Sequence, residues 1–132
     1  MVLALLFALP AFAAGRAQTD YMIHCQGCHL PDGSGFPARG VPDMRHVLIP
    51  FAQSQEGRAY LVQVPGSRLS ALPDDRLAAA INWILEDLAT GEGEAAPYTT
   101  EEVTQLRATP LADPAAIRAR LLEEIAVSAN PE

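Results

Sequence analysis

An all-α domain of short helices is the fold class this sequence predicts, on three observations. Two stretches, residues 17–28 and 74–88, carry apolar residues at helical spacing. Eleven prolines are spread along 132 residues that are 49% hydrophobic, a composition suited to short helices joined by extended loops. Alternating strand patterns are scarce, and no internal repeat or low-complexity block occurs. The length allows one small domain plus a tail.

Residues 1–15 form an apolar run, shorter than the roughly 20 residues needed to span a bilayer. Ala11-Phe12-Ala13 has the A-x-A form of a secretory cleavage site, although no basic segment precedes it. The reading is a signal peptide over residues 1–13, and hence export to the periplasm. An uncleaved anchor or a buried first helix is the alternative, and membrane association is expected only in the uncleaved case.

The first helix is expected over residues 17–28, with Ala17, Tyr21 and Cys25 on one face. Residues 30–43 read as loop, since two prolines and three glycines fall between Pro31 and Gly40. An apolar run, residues 47–51, ends near Pro50. A short helix is expected over 56–64, closed by Pro65-Gly66. Residues 74–88 give the clearest signal. Leu77, Ile81, Ile84, Leu85 and Leu88 form one stripe, Asp74 and Asp75 complement the dipole of the first turn, and Gly91 is the expected stop. Residues 89–98 read as a linker. Thr99 to Glu102 is a capping box opening a helix to about Arg107. Asp113-Pro114 opens another to about residue 127, with Ile117, Leu121 and Ile125 on one side. This two-helix tail is expected to pack back on the preceding domain; a docking arm for a partner is the alternative.

The chemistry concentrates at Cys25-Gln26-Gly27-Cys28-His29. C-x-x-C-H is the attachment signature of c-type haem. Two thiols three residues apart on a helical turn can each add to one vinyl group of the same porphyrin, and the adjacent His29 supplies the proximal iron ligand. A covalent haem also supplies apolar core that a chain this small is hard pressed to build from side chains. Three other readings compete. A disulfide between Cys25 and Cys28 requires only an oxidising compartment. A thioredoxin-like redox pair needs a βαβ context that is not visible. A zinc site needs four ligands; His24, His29 and His46 could join the cysteines, but no second clustered pair exists.

The surroundings of the motif resemble the cytochrome c family, as a class I-like small monohaem domain. Tyr21 gives Y-x-x-x-C-x-x-C-H, the run Leu30-Pro31-Asp32-Gly33-Ser34-Gly35 is similar to the family's glycine-rich turn, and Gly40-Val41-Pro42 is similar to its Gly-Pro segment. Leu72 to Leu85, with Trp83, looks like the family's last helix. The likeness covers roughly residues 15 to 90. It implies a cytochrome c fold over residues 14–92, with short helices around one covalent haem c, followed by an acidic helical extension over 93–132. It implies that Tyr21 packs against the last helix, that Cys25 and Cys28 carry the thioethers and His29 the iron, and that the Pro42 carbonyl accepts a hydrogen bond from His29.

The sixth iron ligand departs from the family's pattern. The family takes it, usually as methionine, from the loop before the last helix. Here residues 60–73 contain no Met, His or Lys, the chain has no lysine, and no methionine follows Met44. Met44 or His46 supplies the ligand by an unusual route, or the position is open to water or an external ligand. The likeness places Met44 on the proximal side, as core packing. Tyr60 and Leu61 are expected to face the haem, and Arg58 or Arg68 is a candidate partner for a haem propionate, with plain solvation the alternative for both.

Charge divides along the chain. Residues 1–85 hold six acids and six arginines, and residues 86–132 hold ten acids and three arginines, which accounts for the whole net charge of −7. This argues against nucleic acid and favours a redox partner with a basic docking surface. The expected function is periplasmic electron transfer, as a carrier or as a small haem subunit serving a dehydrogenase or oxidase. No catalytic triad or acid–base pair is present. The alternative is a haem protein whose open iron position binds or senses a small ligand or does peroxidase-like chemistry.

Overall fold

Helix formation here follows apolar spacing and local caps, and the computed structural model describes the outcome for residues 11–129. The leader expected at residues 1–13 lies mostly outside that range; residues 11–13 open the first helix. The described residues are all-α, with eight α-helices, one 3-10 turn and no strand beyond an isolated bridge between Phe36 and Val41. None of these helices is long and apolar enough to cross a membrane.

Helix α1 spans Ala11–His24 and a single turn, α2, spans Gln26–His29. The sequence reading had one helix over 17–28. The structure breaks it at Cys25, where φ is −125° and ψ is −38°. Ladder hydrogen bonds bracket the break, from the Cys25 amide to the Tyr21 carbonyl and from the His29 amide to the Cys25 carbonyl, both 2.9 Å. The chain therefore turns at the first cysteine, with the Cys25 amide and carbonyl both still paired.

Helix α6, Asp74–Asp87, is the central element. Its predicted stripe is buried at Leu77, Ile81, Ile84 and Leu85, each such side chain contributing roughly 1.5–3 kcal/mol. Leu88 is only partly buried, because the helix ends there rather than at Gly91, with the Ala89 amide reaching back to the Ile84 carbonyl at 3.2 Å. Helix α1 packs across α6. Tyr21 is fully buried and its ring lies 5.3 Å from that of Trp83. Its chain neighbour Asp20 is 1% exposed and pairs with Arg76 of α6.

Helices α3 (Leu48–Gln53) and α4 (Gln55–Gln63) meet at Ser54, whose hydroxyl caps α4 by accepting from the Gly57 amide at 2.9 Å. Pro50 does not end the apolar run. It sits in the first turn of α3, where its missing N–H leaves no helical carbonyl unpaired. A short α5, Pro65–Arg68, follows.

The extension packs back on this frame. Helix α7, Thr100–Arg107, lies against α4 and α6, and α8, Pro114–Ala129, lies against α4. Thr99 and Asp113 cap them through the amides of Glu102 and Ala116. Val103 is fully buried, and Tyr98 and Leu121 nearly so. The Asn82 side chain pairs with both backbone groups of Tyr98, at 3.0 and 2.7 Å.

Candidate functional site

The break at Cys25 and the single turn after it bring Cys25, Cys28 and His29 to the wall of one cavity of about 480 Å³, within the range usual for small-molecule sites. Most of the remaining lining is apolar, including Val47, Leu48 and Phe51 of the α3 region, Leu61 and Val64 around α4, and Ile81 and Ile84 of α6. Among the described residues no Asp or Glu lines it.

His29 ends α2. Its Nδ1 is buried and has no hydrogen-bond partner, an uncommon condition for a buried polar atom. Burial lowers its pKa below the ordinary histidine value, which keeps the imidazole neutral, the form that ligates a metal. Cys25 is half-buried and Cys28 exposed; both are free thiols. Burial, with smaller contributions from Asp20 and Cys28, pushes the Cys25 thiol up to about 11. Among the described residues no group of three or more His, Cys, Asp or Glu side chains is arranged to hold a metal ion on its own, so the four-ligand zinc alternative finds no support here.

Pro42 lines the cavity, but the hydrogen bond expected from His29 to its carbonyl is not made. The cause is local. The Phe36–Val41 bridge folds the loop so that the Pro42 carbonyl lies over Gly35, where a Cβ would come within 2.4 Å of that oxygen. Gly35, at φ +69°, fits because it has no side chain.

The two candidate sixth ligands separate. Met44 is half-buried and lines the cavity. His46 does not: it is exposed, with Nδ1 2.9 Å from the Thr90 hydroxyl. His24 is exposed and also lines the cavity. Tyr60 and Leu61 line the cavity.

Arg58 and Arg68, the two candidate propionate partners, do not line the cavity, and both bond to the extension. Arg58 donates to the Ala52, Ala96 and Pro97 carbonyls, pairs with Glu102 at 2.7 Å and lies 3.9 Å over the Tyr98 ring. Arg68 donates to the Arg107 carbonyl. In their place Pro114 and Arg118 of α8 reach the cavity. The sequence reading missed both, since nothing local distinguishes Arg118 from any other arginine on a helix.

Two thiols and a neutral imidazole on the wall of an apolar cavity suit a porphyrin linked through C-x-x-C-H, while the unpartnered Nδ1 departs from the expected bond to Pro42. No family model, no curated protein and no solved structure matches the chain.

Proposed function

We propose that this chain is an exported c-type haem protein of the cytochrome c kind, working in electron transfer as a carrier or as a small haem subunit of an oxidoreductase. The observation that carries this reading is the convergence of Cys25, Cys28 and His29 on one largely apolar cavity. Bound haem would supply a one-electron couple. The chain's own part is to anchor and enclose. Cys25 and Cys28 would hold the porphyrin through thioethers, and His29 would ligate the iron through the nitrogen remote from Nδ1. The apolar side chains around them would keep water from the ring, which is one of the protein's levers on haem potential.

The acidic extension gives the partner its expected character, a basic docking surface. Expression with a c-type maturation apparatus and export tests the proposal. The expected product is red and carries the mass of one covalently attached haem, and replacing either cysteine by alanine abolishes two-point attachment. A folded, colourless protein of apo mass refutes it.

A second reading, an open sixth iron position for a small external ligand, is favoured by one observation: His46, one of the two candidate internal ligands, lies away from the cavity and is engaged with Thr90. Carbon monoxide separates the two. Rapid, complete binding to the reduced protein supports the open site, and refusal supports an internal ligand.

A further inference from the structure

Among the described residues the cavity wall holds one permanent cation, Arg118, and it comes from the C-terminal extension. Six of the chain's nine arginines are committed elsewhere. Arg45, Arg58, Arg76, Arg107 and Arg120 sit in ion pairs, and Arg68 donates to the Arg107 carbonyl. Arg118 forms no ion pair among the described residues and is half-buried. Tyr60 is its neighbour across the α4–α8 contact: the guanidinium opposes, in part, the upward shift that burial gives the Tyr60 hydroxyl. Helix α8 is fixed against α4 by the pairing of Arg120 with Glu56 and by the burial of Leu121. A partly buried guanidinium at the rim of an acid-free cavity, without a carboxylate of its own, is suited to an anionic group of whatever fills that cavity.

We propose that Arg118 is the residue that binds a propionate of the haem, so that the extension completes the cofactor site. The proposal rests on the haem assignment above. It gives the two-helix tail a task at the redox centre: α8 carries a positive charge to the porphyrin edge, where it offsets a negative one. The other titratable groups on the cavity wall are His24, Cys25, Cys28, His29 and Tyr60. None is an acid that would compete for the guanidinium.

The consequence is electrostatic. With Arg118 present, its paired propionate stays ionised through the neutral range, because an adjacent cation lowers a carboxyl pKa. In Arg118→Gln the propionate loses that cation and its pKa rises. Above that pKa the iron then sees one uncompensated negative charge, which favours the ferric form and lowers the potential. Below it the propionate is protonated and neutral, and the difference from the parent closes.

The test is spectroelectrochemistry on the holoprotein, full chain, for the parent, Arg118→Gln and Arg118→Lys, over a pH series. The expected result is a lower potential for Arg118→Gln at neutral pH, with a gap that widens as pH rises and shrinks in acid. Arg118→Lys, which keeps the charge, recovers most of the parent value. A role limited to docking α8 would alter thermal stability without a pH-dependent gap in potential. Identical pH profiles for the parent and Arg118→Gln, both carrying haem, overturn this inference and leave the haem assignment standing. A parent chain that matures without haem overturns the assignment instead.

Discussion

The Tyr21 hydroxyl donates to the carbonyl of Leu30 across 2.5 Å, tying α1 to the residue just past His29. Leu30 stands at φ +61° and ψ 166°, a backbone state that side chains disfavour. The hydrogen bond holds that state, and the Tyr21 ring anchors the tie by packing on Trp83. Burial, with contributions from Cys25 and Asp32, pushes the Tyr21 hydroxyl up to about 12, so it remains a donor throughout the neutral range. Tyr21→Phe keeps the ring and removes only the donor. Its expected cost is about 1 kcal/mol, read as a lower denaturation midpoint with an unchanged slope. An unaltered midpoint would show that the tie contributes nothing.

Arg58 is the clamp of the extension. One guanidinium serves three backbone carbonyls, a carboxylate and an aromatic face, with only 15% of its side chain exposed. Removing it leaves those carbonyls short of a donor and Glu102 without its partner. Arg58→Ala is expected to lose about 2–4 kcal/mol and to open residues 92–99 to proteolysis. Arg58→Lys recovers little, since a single ammonium cannot span the fork. Rescue to parental resistance by lysine would contradict the bidentate assignment.

Acid should loosen the same contact. The hydrogen bond from Arg58 holds the Glu102 carboxyl below its ordinary 4.5. Hydrogen bonds from Thr104 and Arg107 likewise hold Asp74 below 3.8. A depressed folded pKa means stability that is present above the unfolded value and lost as pH falls through the folded one. Amide protection factors in α7, corrected for the intrinsic exchange rate, should therefore fall as pH drops below 4.5, ahead of those in α6. Simultaneous loss of protection in both helices would place the acid-sensitive contact elsewhere.

Gly57 sits where α4 passes over the end of α3. A Cβ there would come within 2.2 Å of the Phe51 carbonyl oxygen, and backbone cannot yield as a side-chain tip can. Gly57→Ala, which ordinarily helps a helix, is expected to cost about 3 kcal/mol or more by forcing the α3–α4 corner apart. The control is Gly66→Ala, in α5, where a Cβ meets nothing within 4 Å. Similar melting temperatures for the two variants would argue against the tight corner.

What the sequence disclosed and what it withheld divide by range. Helix α6 and the Thr99 and Asp113 caps follow from spacing or from short motifs, so they were legible, and the approach of Tyr21 to α6 was implied by the likeness of motifs. The break at Cys25 was not, because Ala17, Tyr21 and Cys25 keep helical spacing through it. The partners of Arg58 were not legible, since they lie up to 44 residues away, and nothing near Arg118 marks it as lining a cavity. The Pro42 carbonyl was assigned from a likeness of motifs, whereas its direction depends on the Phe36–Val41 bridge, a pairing that residue type alone does not specify.

His46 provides the last prediction. As a candidate sixth ligand it rested on residue type and a position near Met44, but its Nδ1 is engaged with Thr90 and it is absent from the cavity wall. His46→Ala should leave the absorption spectra of the ferric and ferrous holoprotein unchanged. Its stability cost should stay below about 1 kcal/mol, the range for one exposed hydrogen bond. The paired variant Met44→Ala probes the thioether that does line the cavity, and a spectral response confined to it would make Met44 the internal ligand. A shift of the ferric spectrum in His46→Ala alone would mean that the 44–48 segment rearranges when haem is bound, carrying the imidazole from Thr90 to the iron.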